Sequence, residues 1–299
     1  MLRDYVAIIV TTVGGADMEI ERVGRYELIA PIGSGGMGTV YKAIDREKDE
    51  TIAIKVLFRR YDIDKKARKR DYLGREILIT AGLEHPNIVK IFPEIAEAPD
   101  TEGFKRRCLL MEYVDGHNLR KHIRERDLTW EQAVDLCLDI CVGLNYLHQN
   151  NVVHMDVKPE NFLISRDGQA KIADFGLSRR QRRWFFGERW GAGGTRKYMS
   201  PEQLVDKPLD ARSDIFSFGI TMYELFTGKH PAPGPRPKDV VKQLASSSFQ
   251  FERPSRVEAS LPRDIDRVAL KALKKKPSSR YQSVAELILD LRRLRERRF

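Results

Sequence analysis

The sequence predicts an α+β fold in two lobes, a small N-terminal β-sheet lobe that carries one helix and a larger, mainly helical C-terminal lobe. Strand-forming runs separated by glycine or charged turns fill the chain up to about residue 114, and helical spacing of apolar residues dominates after residue 116. Hydrophobic residues make up 41% of the 299 positions, which is enough for a sizeable core and too much for a disordered chain. We therefore expect an N-terminal extension over 1–24, a first lobe over 25–114 and a second lobe over 115–299.

The first lobe is predicted to be a sheet interrupted by a single helix. The helix covers Asp62–Leu83, and its apolar residues Leu73, Ile77 and Leu78 are expected on one face. Gly74 lies inside it and costs about 1 kcal/mol relative to alanine. The predicted strands are Tyr26–Ile32, Thr39–Ala43, Thr51–Phe58, Ile88–Ala96 and Arg107–Val114, the last two forming a hairpin.

The second lobe is predicted to be built from helices. The pattern Thr129-x-x-Gln132 is a capping box, and the apolar residues that follow it recur at helical spacing until a stop near Asn150. Cys137 and Cys141 belong to that stripe and are interpreted as small core residues rather than as half of a metal site. Further helices are predicted over Ser213–Thr227 and Val284–Leu294.

Charge and cysteine content limit the class of protein. The chain has 53 basic and 43 acidic residues and a net charge of +10, which alone does not decide between nucleic acid, acidic lipid and acidic peptide as partners. Three cysteines are too few for a disulfide framework and indicate a reducing compartment, so we expect a cytoplasmic location. No apolar run approaches the roughly 18 residues of a membrane span. The run Val6–Val13 is short and lacks a clear cleavage site, so it is not interpreted as a signal peptide. Met18 is a candidate for an alternative start of translation.

A glycine-rich stretch near the N-terminus fits the pattern G-x-G-x-x-G-x-V, with Gly33, Gly35, Gly38 and Val40 at its fixed positions. Glycine lets backbone N–H groups approach phosphate oxygens without a Cβ in the way. A dinucleotide fingerprint requires a helix after the glycines, whereas a strand follows here. The stretch therefore favours a glycine hairpin over a nucleotide, although alone it is a weak signal.

Two charged residues downstream are predicted to form a pair. Lys55 ends the strand-like run Ile52-Ala53-Ile54-Lys55, and Glu76 lies on the predicted helix. Taken singly, Lys55 is typical of an edge charge and Glu76 of a solvated helix face. Their order after the glycine stretch favours a fixed cation for phosphate held by a carboxylate.

The most specific signal is the run His154-Met155-Asp156-Val157-Lys158-Pro159-Glu160-Asn161, followed by Asp174-Phe175-Gly176. Phosphoryl transfer needs a divalent cation, a fixed positive charge and a carboxylate that orients the attacking hydroxyl. Asn161 and Asp174 offer the hard oxygen ligands that Mg²⁺ prefers. Asp156 is placed to accept the hydroxyl proton, and Lys158 to balance charge on the moving phosphoryl group.

With these motifs in this order, the sequence resembles the protein-kinase superfamily over about residues 25–297, and most closely its bacterial members. The resemblance implies a bilobal fold that binds ATP in its cleft together with Mg²⁺ or Mn²⁺. It implies that Gly33, Gly35 and Gly38 cover the phosphates. It also implies that Lys55 holds the α- and β-phosphates and pairs with Glu76. Asp156 would be the catalytic base, and Asn161 and Asp174 would hold the metal.

The same resemblance assigns the remaining site residues. Met111 matches the gatekeeper, and Glu112-Tyr113-Val114 matches the hinge that binds adenine. Val40, Ala53 and Leu163 would enclose the adenine ring. Phe175, Gly176, Thr195 and Glu202 belong to the activation segment. Glu202 would pair with Arg280, and Asp214 would anchor the catalytic-loop backbone.

Lys158, two residues after Asp156, resembles serine/threonine kinases, so we expect phosphorylation of Ser and Thr hydroxyls in protein substrates. A pseudokinase that acts as a nucleotide-binding signalling scaffold is the main alternative. A small-molecule kinase and a basic nucleic-acid scaffold are weaker ones, the last resting on net charge alone. Because Lys55, Glu76, Lys158 and the three carboxylate or amide groups are all present, the sequence favours an active enzyme.

Three departures from the family pattern predict regulation. Met155 replaces the arginine that holds a phosphorylated activation segment, and few hydroxyls lie between 174 and 202, so we expect activity without such a phosphate. Thr80 and Gly74 predict a loosely held helix whose inward position needs a regulatory protein partner. The basic and aromatic run over 179–190 is interpreted as a solvated face or as a docking surface for acidic peptides, with single-stranded nucleic acid as a weaker alternative.

Overall fold

The computed structural model describes residues 22–35, 38–58, 71–99, 103, 105–180 and 194–296. The run Val6–Val13, the start at Met18, the first part of the predicted 62–83 helix and most of the 179–190 run lie outside the described residues. The described residues form two compact units. The first unit consists of the described residues up to Glu84 together with Val89–Val114. The second unit consists of His85–Ile88 and the described residues from Asp115 onward. The predicted α+β class is confirmed.

The first unit contains a six-stranded antiparallel sheet in the order β1-β2-β3-β4-β6-β5. The predicted hairpin of β5 and β6 is confirmed, with Ala96 opposite Cys108. Ile88 was predicted in β5 but bridges Ile172 of the second unit instead. The strands are β1 Arg22–Val23, β2 Tyr26–Ser34, β3 Gly38–Asp45, β4 Glu50–Leu57, β5 Ile91–Pro99 and β6 Lys105–Glu112.

The side chains of β4 alternate between the two faces of this sheet. Ile52, Ile54 and Val56 pack into one hydrophobic cluster with Tyr41 and Leu110. Successive residues of a strand point to opposite faces, so Ala53 and Lys55 share the other face. Lys55 is therefore placed by a sheet whose opposite face packs into a hydrophobic cluster.

Helix α1 spans Tyr72–Thr80. Leu73 is buried and packs with Ile77, one turn further along, as the spacing predicts. Leu78 is 65% exposed, so its predicted place on the buried face is wrong. The reason is angular, because Leu78 lies about 100° around the helix from Ile77 at 3.6 residues per turn.

The second unit is mainly helical. The predicted capping box at Thr129 is confirmed, since its hydroxyl accepts the N–H of Gln132 and the Gln132 side chain accepts the N–H of Thr129. The helices are α2 Leu119–Glu125, α3 Trp130–Gln149, α4 Pro201–Leu204, α5 Ala211–Thr227, α6 Pro237–Ala245, α7 Pro254–Val257, α8 Asp264–Ala272 and α9 Val284–Glu296. The strands are β7 Gly116–Asn118, β8 Val152–Val153, β9 Phe162–Ser165, β10 Ala170–Ile172 and β11 Arg179–Arg180.

Helix α5 is the core of the second unit, because every residue from Ser213 to Thr227 is buried. Cys137 and Cys141 are buried free thiols in α3, which confirms their interpretation as core residues. Burial raises the pKa of the Cys137 thiol. Within the described ranges, no helix is both long enough and apolar enough to cross a bilayer.

Candidate active site

In the first unit the structure brings Lys55 and Glu76 together. Lys55 Nζ lies 3.2 Å from Glu76 Oε2, and both side chains are buried. Lys55 lies toward the C-terminal end of β4, and Glu76 lies on the buried face of α1. A buried carboxylate is costly unless it is paired, so the lysine holds Glu76, and with it the helix, against the sheet.

The N-terminal cap of α1 explains why glycine stands at position 74. Asp71 caps the helix by accepting the N–H of Gly74 at 3.3 Å, and a Cβ on Gly74 would lie 2.1 Å from the Asp71 carboxylate. Asp71 also accepts from Arg107 of β6 at 2.8 Å. Thr80, at the other end, donates its hydroxyl to the Glu76 carbonyl at 2.8 Å. Both residues that the sequence marked as unusual have structural partners inside the first unit.

Four predicted nucleotide-binding residues share one face of the sheet. Val40 lies opposite Lys55, and Ala53 opposite Met111. Directly paired residues point the same way, as do residues two apart on one strand, so all four side chains point to the same face. Glu112 uses its N–H for the carbonyl of Lys90 at 2.8 Å.

The glycines of the G-x-G-x-x-G pattern differ in what requires them. A Cβ on Gly38 would lie 2.1 Å from the Val56 carbonyl oxygen, so strand pairing itself demands glycine there. A Cβ on Gly33 or Gly35 would meet no atom of the described residues within 4 Å, and neither glycine has a positive φ. Packing gives no reason for glycine at these two positions, which fits the close approach of a phosphate.

In the second unit the structure brings Asp156, Lys158 and Asn161 together. Asp156 Oδ2 accepts from Lys158 Nζ at 2.6 Å and from Asn161 Nδ2 at 3.2 Å. Asn161 Nδ2 also donates to the Asp156 carbonyl at 2.8 Å. Asp156 Oδ1 is buried and is without a hydrogen-bond partner among the described residues. One oxygen of the carboxylate is thus fixed, and the other remains able to accept a proton donor.

Burial raises the pKa of Asp156, the positive charge of Lys158 opposes that shift, and the negative charge of Asp174 adds to it. A carboxylate with a raised pKa is a stronger proton acceptor than an exposed one. The environment of Asp156 therefore suits a general base better than a structural ion pair alone would.

Asp174 is exposed and has a φ of 63°. Such a left-handed conformation is uncommon for a non-glycine residue and concentrates at functional sites. The next residue, Phe175, is buried, with its ring centroid 5.3 Å from that of His154. On β9 Leu163 lies opposite Lys171 of β10 and is half-buried.

The loop that carries Asp156 is held from several elements. Asp214 of α5 accepts the backbone N–H groups of His154 and Met155, each at 2.8 Å. Gln203 of α4 donates its side-chain amide to the Met155 carbonyl at 3.0 Å, and Ser178 donates its hydroxyl to the His154 carbonyl at 3.1 Å. The resemblance implied the contact from Asp214, whereas no local pattern pointed to Gln203.

Glu202 and Arg280 form a bidentate ion pair. Arg280 donates to the two carboxylate oxygens at 2.6 and 2.7 Å, and Ser213 donates to one of them at 2.7 Å. Burial by itself would raise the pKa of Glu202, but the hydrogen bonds and charge of Arg280 outweigh it and lower the pKa below its usual value. This pair stabilises the end of the activation segment.

Met155, which replaces the arginine of the family pattern, is buried. It forms a hydrophobic cluster with Val153 of β8, Leu209 and the half-buried Leu177. Leu177 lies just after the Asp174-Phe175-Gly176 run. An apolar contact therefore stands at the position where an arginine would bind phosphate.

Arg120 of α2 is a site residue that the sequence did not indicate. It contacts Glu160 of the catalytic loop and Glu224 of α5. Its partners are 40 and 104 positions away, and no local motif marks such contacts.

Thr195 lies in the 3₁₀ turn Gly194–Tyr198, but its side chain is outside what the structure describes.

Comparison with known proteins agrees with this geometry. The protein kinase domain family matches residues 26–290. The chain is 37% identical over 275 residues to the serine/threonine-protein kinase PknB of Mycolicibacterium smegmatis, which covers 91% of this chain and 43% of that protein. It is also 37% identical over 278 residues to PknB of Mycobacterium tuberculosis, covering 90% of this chain and 43% of that protein.

The chain belongs to the protein kinase domain family, since the match covers nearly its whole length. A probable serine/threonine-protein kinase PknB of Corynebacterium glutamicum is 37% identical over 277 residues, 90% of this chain and 42% of that protein. The chain spans less than half the length of these relatives.

Proposed function

We propose that this chain is a serine/threonine protein kinase that transfers the γ-phosphoryl group of ATP to Ser or Thr hydroxyls of proteins. The observation that carries the proposal is the Asp156 carboxylate, with Oδ2 held by Lys158 and Asn161 and Oδ1 buried with no hydrogen-bond partner in the part of the chain that the structure describes. A hydroxyl donating to Oδ1 would be oriented for attack and would lose its proton to Asp156.

The residues of the chain fit a nucleotide and a divalent cation. Asn161 uses its amide nitrogen for Asp156, so its amide oxygen is the atom that could bind a cation, and Asp174 offers a carboxylate. These hard oxygen donors suit Mg²⁺ or Mn²⁺, which would neutralise charge on the phosphate oxygens. Gly33 and Gly35 would let the backbone approach the phosphates, and Lys55 would supply a fixed positive charge.

The test is transfer of the γ-phosphoryl group of ATP, in the presence of Mg²⁺, to Ser- and Thr-containing peptides. We expect Asp156→Asn to lower kcat by at least about 100-fold, because the general base is removed while the loop keeps its shape. Asp167→Asn, in an exposed turn of the same unit, is the matched control and should retain the wild-type rate. An Asp156→Asn variant as active as wild type would contradict the proposal, and nucleotide binding without turnover would favour the pseudokinase.

We further propose that activity does not require an activation-segment phosphate held at residue 155. Met155 is packed in an apolar cluster, and three of the hydroxyls between 174 and 202 are buried and engaged. Ser178 donates to the His154 carbonyl, Tyr198 to Glu224, and Ser200 caps α4. Phosphatase treatment should leave activity unchanged. Loss of activity, with the removed phosphate mapped between 178 and 200, would contradict this.

Regulation and location complete the proposal. We infer that α1 depends on a protein partner for its inward position, supported by Leu78, an apolar side chain of α1 that is 65% exposed. Hydrogen exchange should then be faster in α1 than in the buried helix α5, and equal protection would contradict the inference.

Three free cysteines support a cytoplasmic location, which cell fractionation would test.

A further inference from the structure

Arg120 lies in a network of acidic groups beside the catalytic loop. Its Nε donates to Glu160 Oε1 at 3.0 Å, and its Nη1 lies 3.1 Å from Glu224 Oε2. Its Nη2 donates to the Tyr198 hydroxyl, which in turn donates to Glu224 Oε2 at 2.5 Å. One guanidinium therefore contacts two carboxylates and a phenol, all within the second unit.

The network is close to the point of phosphoryl transfer in the proposed function. Glu160 directly precedes Asn161, whose amide holds the Asp156 carboxylate. Tyr198 ends the 3₁₀ turn of the activation segment. An extended peptide advances about 3.3 Å per residue. A side chain two or three residues from a hydroxyl at Asp156 could therefore reach Glu160.

The charges show what Arg120 does there. Glu224 is buried and Glu160 is partly exposed, and without Arg120 the two carboxylates would leave an acidic pocket beside the loop that carries Asp156. Such a pocket would bind an arginine or lysine side chain of a substrate by charge-assisted hydrogen bonds. The protein's own guanidinium makes those contacts already. Lys197, whose Nζ lies 5.1 Å from the centre of the Tyr198 ring, adds a further positive charge beside the network.

We propose that Arg120 is a specificity-determining residue, an internal cation that fills this acidic pocket and removes any preference for basic residues next to the phosphorylated hydroxyl. The proposal rests on the proposed function, and it names the substrate class that the site rejects. Substrates with neutral or acidic flanks remain, which is compatible with the docking-surface interpretation of the 179–190 run.

The test is a peptide series in which arginine replaces alanine at each of the four positions before and after the Ser or Thr. For the wild type we expect kcat/KM with every arginine peptide to be equal to or lower than with the parent. Arg120→Met keeps an apolar stem against the Tyr198 ring and removes the charge. We expect this variant to gain about 10-fold or more for arginine at one or more positions.

Two further variants make the test specific. Arg120→Met with Glu160→Gln should lose most of the gain, because half of the opened pocket is neutralised. Arg124→Met is the matched control on the same helix, since Arg124 is exposed and contacts only Glu125 among its described ion-pair partners. It should keep the wild-type profile.

Binding gives a measurement that does not require turnover. Fluorescence anisotropy with an arginine peptide that carries alanine in place of the hydroxyl should show tighter binding to Arg120→Met than to wild type. A wild type that already prefers arginine would overturn the proposal. So would an Arg120→Met variant with a flat profile or with lower activity on every peptide and no gain in arginine-peptide affinity. Absence of Asp156-dependent transfer in the wild type would refute the proposed function instead, and the anisotropy would still decide the role of Arg120.

Discussion

The two units each contain a buried ion pair, and the two pairs are built differently. In the first unit, the ammonium group of Lys55 donates to the Glu76 carboxylate at 3.2 Å. In the second, Arg280 reaches Glu202 through two bonds and also donates to the carbonyls of Lys274, Lys275 and Arg212. Its guanidinium is fully enclosed by protein acceptors.

The difference between an arginine and a lysine in these pairs indicates which pair is built for stability and which can also bind a ligand. A planar guanidinium with its donors satisfied by fixed carbonyls has one geometry and no capacity for a ligand. A lysine ammonium is a compact charge with three rotatable donors, so it can contact a phosphate while keeping its carboxylate. We therefore expect changes at Arg280 to affect mainly stability and changes at Lys55 to affect mainly activity.

The largest expected effect is on stability. Arg280→Met should lower the free energy of unfolding by about 3–5 kcal/mol, because the Glu202 charge is left buried without its partner. Arg236→Met, which breaks an exposed pair with Asp239, is the control and should cost at most about 1 kcal/mol. Urea denaturation measures both. Adding Glu202→Leu to Arg280→Met should recover part of the loss, and equal losses for Arg280→Met and Arg236→Met would remove the distinction between buried and exposed pairs.

The next effect is on activity. Lys55→Met should lower kcat/KM for phosphoryl transfer by at least about 100-fold, a change of about 2.7 kcal/mol in transition-state stabilisation. Its free energy of unfolding should fall less than that of Arg280→Met. Lys105→Met, on an exposed lysine of the same sheet, should retain both properties. If Lys55→Met proved as destabilised as Arg280→Met and kept its activity, the assigned roles would be reversed.

A smaller effect is expected from pH. The pKa of Glu202 is lower in the folded chain than its usual 4.5. A depressed carboxyl pKa contributes stability that is present above the unfolded value and is lost as pH falls through the folded one. The difference in unfolding free energy between wild type and Glu202→Gln should therefore be constant above about pH 5.5 and shrink below pH 4.5. A difference that does not change down to pH 3 would show that the charge of Glu202 is not what stabilises the pair.

The smallest effect concerns the helix that carries Glu76. Gly74→Ala should not stabilise α1, because the new Cβ would displace the Asp71 cap. In an Asp71→Ala background the same change should stabilise the chain by up to about 1 kcal/mol, the ordinary helix preference for alanine. Thermal denaturation of the wild type, the two single variants and the double variant measures the coupling free energy between positions 71 and 74. Equal effects in both backgrounds would mean that the cap does not explain this glycine.

Much of the fold followed from local patterns. The capping box at Thr129 and the β5–β6 hairpin were predicted because each depends on residues close in sequence. Leu78 was misplaced because an apolar residue at helical spacing does not reveal which side the rest of the unit covers. The resemblance indicated the pair of Glu202 and Arg280, but not the three carbonyls that complete the shell of the arginine.

The sequence by itself determined the class of the fold, and it predicted the long strands, three of the long helices and the residues expected to carry the chemistry, because these depend on periodicity and on short motifs. Only the tertiary structure decided that Arg120 contacts Glu160 and Glu224, that Met155 and Leu177 join one apolar cluster and that Gln203 holds the loop of Asp156. Those contacts join distant segments, and Gln203 is 48 positions from Met155. Their energies depend on burial and geometry, which the chain acquires only when it is folded.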